Sequence, residues 1–134
     1  MFEQDYLMRM ILQLVEGIRR SMELSKQKND PSAAAEMLEA TISQATEIDG
    51  SVLLSLAPES IADILQVSGT DPGVVEFVSR SMLLESEYLA EAGDAGTAQL
   101  RAAQARALAD SYGFELGAPG EGEREMDGYI ESLN

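Results

Sequence analysis

Hydrophobic side chains recur every three or four residues along most of the chain, which is the spacing of one face of an α-helix. In the first segment, from about Gln4 to Gln27, seven apolar side chains form such a stripe: Leu7, Met10, Ile11, Leu14, Val15, Ile18 and Met22. Gly17 interrupts this segment at a cost of about 1 kcal/mol relative to alanine, so we expect it to mark a close contact with another helix. The pattern predicts a long N-terminal helix that packs one face against the protein.

Proline and glycine divide the rest of the chain into further helical segments. The Asp-Pro pairs at 30–31 and 71–72 combine an N-cap residue with a proline at the first helical position. The predicted segments are 31–48, a short buried turn at 51–56, 58–67, 72–91 and about 97–112. We expect Thr97 to cap the last of these, and Gly113 to end it in the left-handed conformation.

These segments predict an all-α fold, a compact multi-helix bundle of five to seven helices, because no stretch alternates with period two for more than a few residues. Segments 74–91 and 97–112 have the length and small-residue content of a tetratricopeptide-like helical pair, although no 34-residue period recurs. Residues 1–116 form the predicted helical domain. Residues 117–134 form an acidic, Gly-rich and mobile linker with a short amphipathic C-terminal segment of one or two turns.

Charge is distributed unevenly along the chain. The whole sequence has 9 basic and 24 acidic residues and a net charge of −15, whereas residues 1–30 contain five of each sign. A field of this sign repels nucleic acid phosphates and anionic lipids, so we expect neither nucleic acid nor a membrane as a partner. With no cysteine, no basic N-terminal start and no long uncharged apolar stretch, the sequence predicts a cytoplasmic protein.

The residue types present exclude several chemistries. The chain has no His and no Cys, so it cannot build a Ser-His-Asp triad, a thiolate nucleophile or a zinc finger. Its glycines do not have the spacing of a phosphate-binding loop. A calcium-like pattern with Gly128 at the sixth position fails because Asn134 stands where a bidentate glutamate is required. We therefore predict no enzymatic activity, no cofactor and no metal site.

Met8 and Leu12 lie outside the apolar stripe of the first segment, so this helix is apolar on two sides. A helix of this kind is either central in a bundle or shared with a second subunit, and we expect a homodimer through it. Methionine also adapts to partners of varied shape. The candidate interaction surface comprises apolar residues of the first helix and of the tail, namely Met8, Met10, Leu12, Met22, Tyr129, Ile130 and Leu133. The predicted function is a protein–protein interaction or scaffold module without catalysis.

Two alternative functions stay open. The segments between residues 60 and 81 have the outline of a helix-turn-helix, which would indicate a transcription-associated protein, although the second segment offers only Arg80 as a basic side chain. A helical bundle can also enclose an apolar pocket with a few polar groups and bind a small molecule.

Three stretches of the sequence also resemble a family of short bacterial helical proteins that is described only as a domain of unknown function. They are residues 2–11 (FEQDYLMRMI), residues 56–62 (LAPESIA) and residues 102–114. The resemblance covers residues 1–116 and implies an all-helical cytosolic protein from a bacterium. It implies no activity, ligand or catalytic residue.

Overall fold

Seven α-helices and no strand make up the computed structural model, which describes residues 2–118 and 120–133 and the side chains from residue 5 onward. The helices are α1 (Phe2–Lys26), α2 (Pro31–Thr46), α3 (Gly50–Leu53), α4 (Pro58–Val67), α5 (Pro72–Glu91), α6 (Ala95–Tyr112) and α7 (Gly122–Ser132). The prediction of an all-α bundle with five to seven helices is confirmed.

Aspartate side chains cap the N-termini of α2, α5 and α6. The Asp30 carboxylate accepts a hydrogen bond from the backbone of Ala33 at 3.0 Å, and Asp71 accepts one from Gly73 at 2.7 Å. The prediction that Thr97 caps α6 is wrong, because the helix begins two residues earlier and the Asp94 carboxylate accepts the bond from the Thr97 N–H at 3.2 Å. Each cap satisfies a backbone donor that has no partner within its helix.

The central helix of the bundle is α5, in which twelve of twenty residues are buried. It packs against α2 and α6, while α1 packs mainly on α2 and α4 packs on α6. The helices α5 and α6 form a hairpin in which the buried Ser79 hydroxyl donates to the Ala105 carbonyl at 2.7 Å. Large side chains from six helices fill the core, including Leu14, Leu38, Leu53, Ile61, Phe77, Tyr88 and Leu108.

Helices α1 and α2 approach each other closely at Gly17. A Cβ atom at this position would overlap the Thr41 hydroxyl and lie 2.8 Å from its methyl carbon and 3.0 Å from its Cβ. The close helix contact expected at Gly17 is confirmed. It fixes how α1 lies on α2 and therefore which face of α1 stays exposed.

The C-terminal segment forms a longer helix than its composition predicts. Helix α7 has 11 residues and starts at Gly122, inside the stretch that the sequence indicated as linker. It packs against α5, with Met126 and Ile130 buried. Residues 113–118 and 120–121 approach it without forming a helix.

Candidate interaction surfaces

One flank of α1 is apolar and exposed. The side chains of Met8 and Leu12 are both 58% exposed, and the half-buried Val15 continues the same line along the helix. This flank also carries Asp5, Leu12 and Arg19 at intervals of seven residues. Met8 lies three residues after Asp5, and Val15 lies three residues after Leu12. This is the spacing of a coiled-coil seam. We call these five residues the α1 stripe.

The α1 stripe has opposite charges at its two ends. Asp5 lies seven residues before Leu12 and Arg19 seven residues after it, which is about 10.5 Å along the helix axis on each side. Asp5 and Arg19 are both exposed. The apolar centre of the stripe is therefore flanked by one acidic and one basic group.

The other flank of α1 borders an open groove of about 620 Å³. Its apolar wall includes Leu7 and Met10 of α1 and Val74 of α5, and its rim carries Glu47 and Asp71. Across this rim, the Tyr6 hydroxyl donates a hydrogen bond to Glu47 at 3.2 Å. Because Tyr6 lies on this side, the groove and the α1 stripe are separate surfaces.

The structure divides the predicted surface residues among three environments. Met8, Leu12 and the half-exposed Leu133 are on the surface, and Met10 lines the groove. Met22 and Ile130 lie in the core, with 6% and 5% of their areas exposed. The partly buried ring of Tyr129 packs on Phe77. Of the seven residues, the structure therefore brings Met8 and Leu12 together on one exposed face.

A clamp centred on Arg80 holds α7 against α5. The guanidinium group donates to Glu76 at 3.0 Å and to Glu125 of α7, and it also reaches the Glu115 carbonyl at 3.3 Å. The same group lies 4.5 Å from the ring centre of Tyr129, within cation–π range. The single cation of α5 thus joins two carboxylates, one backbone carbonyl and one aromatic ring.

Carboxylates also fix the chain that leads into α7. Glu87 accepts hydrogen bonds from the backbone of Gly120 at 3.2 Å and of Gly122 at 3.0 Å, and Glu125 accepts one from Gly117 at 2.8 Å. Partial burial raises the pKa of Glu87, and the hydrogen bonds from the backbone of Gly122 and Gly120 act in the opposite direction. Side chains therefore satisfy backbone donors that no helix or sheet satisfies here.

A buried polar cluster joins α5 and α6 to the connection between α3 and α4. Arg101 donates to the Leu54 carbonyl at 2.9 Å, and Gln104 donates to Leu54 at 3.0 Å and to Leu56 at 2.7 Å. Arg101 Nε lies 3.1 Å from a carboxylate oxygen of Glu85, which is only 1% exposed. Burial raises the pKa of Glu85 to about 7 despite the opposing effect of the Arg101 charge.

Sequence reasoning missed this cluster. The helical pattern identified α5 and α6, but it did not single out Glu85 among the acidic residues of this segment. The available signal was its position three residues after Met82 and four residues before Leu89, on the apolar side of a long helix. A polar residue inside an apolar stripe requires a buried partner.

The corner between α4 and α5 does not expose a DNA-reading helix. Most of α5 is buried in the bundle, and Arg80 is occupied by Glu76 and Glu125. Helix α4 packs on α6. The helix-turn-helix alternative therefore gains no support from the geometry of this corner.

Among the side chains of residues 5–118 and 120–133, no group of three or more acidic residues is arranged to hold a metal ion. The calcium-like pattern falls largely in α7, and its twelfth residue, Asn134, lies outside the described residues. Within the same ranges, the helices are too short or too polar to cross a membrane.

Comparison of the chain with protein-family models, with curated proteins and with solved structures finds no match. This result agrees with the resemblance to a family without an assigned activity. The bacterial origin implied by that resemblance stays a prediction.

Proposed function

We propose that this protein is a non-catalytic protein–protein interaction module that pairs, in the cytoplasm, with a second copy of itself through the α1 stripe. The observation that supports this proposal is the exposure of Met8 and Leu12 at coiled-coil spacing on one flank of α1. Two large apolar side chains placed one turn apart on a helix form a patch that association removes from water.

Charge favours α1 as the face through which two copies meet. Residues 31–134 carry the entire net charge of −15, because residues 1–30 contain five basic and five acidic groups. Two copies therefore approach with least repulsion along α1.

The charges on the α1 stripe also define how two copies pair. An antiparallel arrangement with a two-fold axis at Leu12 places Asp5 of each copy beside Arg19 of the other. A parallel arrangement would instead place like charges together. The two charged ends of the stripe are thus complementary under a two-fold axis at Leu12, as an isologous interface between identical subunits requires.

The size of the stripe predicts a weak dimer. Full burial of a Leu or Met side chain contributes about 2 kcal/mol, and Met8 and Leu12 each have 58% of their area left to bury. Four such side chains in a dimer contribute about 5 kcal/mol, which corresponds to a Kd on the order of 10⁻⁴ M. Charge pairs add to this value and the entropy of association opposes it.

Sedimentation velocity over a protein concentration series tests the proposal. We expect the wild-type chain to shift from monomer to dimer as its concentration passes about 10⁻⁴ M. Leu12→Glu places a carboxylate on the two-fold axis and should keep the chain monomeric throughout this range. The matched control is Val52→Glu, because Val52 is 56% exposed but lies on α3. A wild-type chain that stays monomeric, or equal behaviour of the two variants, would contradict the proposal.

A small apolar cation is a second candidate ligand, favoured by the groove beside Tyr6. The apolar wall formed by Leu7, Met10 and Val74 accepts an apolar body, and Glu47 and Asp71 provide negative charge at the rim. The groove has a volume of about 620 Å³, which falls in the range of small-molecule sites. Titration with benzyltrimethylammonium should raise the melting temperature of the wild-type chain and leave that of Met10→Lys, which adds a positive charge to the groove, unchanged. Equal shifts for both chains would reject this site.

A further inference from the structure

We infer that the face of α5 beneath α7 is a helix-binding groove, that its ligands are acidic amphipathic helices, and that α7 is the ligand built into the chain. This surface is separate from the α1 stripe. The inference therefore goes beyond the proposed self-association and is tested independently of it.

The first argument is the anchor spacing of α7. Its apolar residues Met126, Tyr129 and Ile130, together with the C-cap residue Leu133, follow the i, i+3, i+4, i+7 pattern with which helical ligands enter a groove. Met126 and Ile130 are 1% and 5% exposed. The Tyr129 ring meets Phe77 of α5 edge to face, with 4.9 Å between ring centres. Three of the four anchors thus contact the receiving surface, and the fourth is half exposed at the end of the helix.

The second argument is charge complementarity at the start of α7. Glu123 lies 3.2 Å from Lys26 of α1 and accepts a hydrogen bond from the Tyr88 hydroxyl at 2.8 Å. Glu125 pairs with Arg80. The groove therefore presents two cations and one hydroxyl to the first turn of its ligand, where acidic side chains also suit the helix dipole.

The third argument is that α7 contributes few buried apolar side chains to the fold, so that polar contacts supply much of its attachment. Among the described residues, it supplies two of the buried apolar side chains, while the other six helices and Leu54, between α3 and α4, supply the remainder of the core. Its packing partner is mainly α5. Burial, and to a smaller extent the carboxylates of Glu123 and Glu91, raises the pKa of Glu87, which holds the chain entering α7. An element with few buried contacts opens at a lower free energy than the global unfolding of its domain.

A peptide titration on the full-length chain tests the inference. The probe is a fluorescein-labelled peptide of residues 117–134, followed by fluorescence anisotropy. In the full-length variant Met126→Glu/Ile130→Glu, the built-in helix loses its two buried anchors and the groove becomes free. We expect this variant to bind the peptide at least tenfold more tightly than the wild-type chain, in which α7 competes at a high effective concentration. The control probe is the same peptide with both glutamate substitutions, which should not bind.

Each outcome decides the question. Binding of the wild-type peptide to the double variant, but not of the control peptide, supports a helix-binding groove. Absence of binding, equal binding by the two chains, or equal binding of the two peptides overturns it. If the double variant loses its helical circular dichroism signal, the titration is repeated on full-length Tyr129→Ala, which weakens only the built-in helix. Failure of the peptide to bind that chain more tightly than wild type also overturns the inference.

Discussion

Replacing Gly17 with alanine tests how α1 is seated on α2. The added methyl group would overlap the hydroxyl of Thr41, which is itself buried and donates to the Met37 carbonyl at 2.8 Å. Because the methyl and Cβ of Thr41 lie only 2.8 and 3.0 Å from the new atom, rotating the hydroxyl away does not relieve the overlap. One of the two helices must shift.

Two opposing effects determine how much Gly17→Ala changes the free energy of unfolding. Overpacking of a filled interior costs about 1–3 kcal/mol, and replacing glycine by alanine inside a helix returns about 1 kcal/mol. We therefore expect Gly17→Ala to lower the free energy of unfolding by about 1 kcal/mol. The control is Gly96→Ala in the first turn of α6, where a Cβ meets nothing within 4 Å and the change should be neutral or stabilising.

A double-mutant cycle with Thr41→Ala separates the two effects. The helix propensity gain is present in both backgrounds and cancels, so the coupling free energy reports the steric contact alone. We expect a coupling of about 2 kcal/mol from urea denaturation followed by circular dichroism at 222 nm. If the coupling is below about 0.5 kcal/mol, the helices do not approach at this glycine and the described seating of α1 is refuted.

Three further predictions concern the buried polar cluster and one helix end. The free energy of unfolding should decrease as the pH rises from 5 to 8, because Glu85 has a pKa of about 7 in the folded chain and an ordinary value of 4.5. Folding favours the protonated form of the Glu85 carboxyl group. Its contribution to the free energy of unfolding is therefore fully present below the pKa of the unfolded chain and is lost above the pKa of the folded chain. Urea denaturation at several pH values should show a shallower decline for Glu85→Gln. Arg101→Met should lower the free energy of unfolding by about 3–5 kcal/mol at pH 8, where it leaves the buried Glu85 carboxylate unpaired, and by clearly less at pH 5. An equal loss at both pH values would contradict the pairing of Arg101 with Glu85. Gly113→Ala should cost about 1 kcal/mol in calorimetry, because φ at this position is +77°, and an unchanged stability would rule out this helix end.

The helices were predictable because their boundaries have local causes. Helices α2, α4 and α5 begin at Pro31, Pro58 and Pro72, each of which precedes an apolar stripe. Gly113, in the left-handed conformation, ends α6. Such signals depend on a few neighbouring residues. The same holds for the exposure of Met8 and Leu12, since their angular position on α1 already sets them apart from the buried stripe.

The features that the sequence did not predict depend on residues far apart in the chain. Gly122 begins a helix although its composition is typical of a linker, because Glu87, 35 residues earlier, accepts a hydrogen bond from its backbone. Thr97 was a plausible cap by residue type, but Asp94 occupies the geometry that a cap requires. Burial of Ile130 follows from where α7 docks on α5, and no local pattern contains that information.

Cross-linking through a cysteine at position 12 tests the central claim most directly. The natural chain has no cysteine, so each variant carries one thiol. A two-fold axis at Leu12 brings the two residues within reach of a disulfide, which requires Cα atoms about 4.4–6.8 Å apart. Under mild oxidation near 10⁻⁴ M, we predict that Leu12→Cys becomes a covalent dimer while Val52→Cys, exposed to the same extent, stays largely monomeric. Equal yields of covalent dimer from the two variants would contradict an antiparallel pairing of α1.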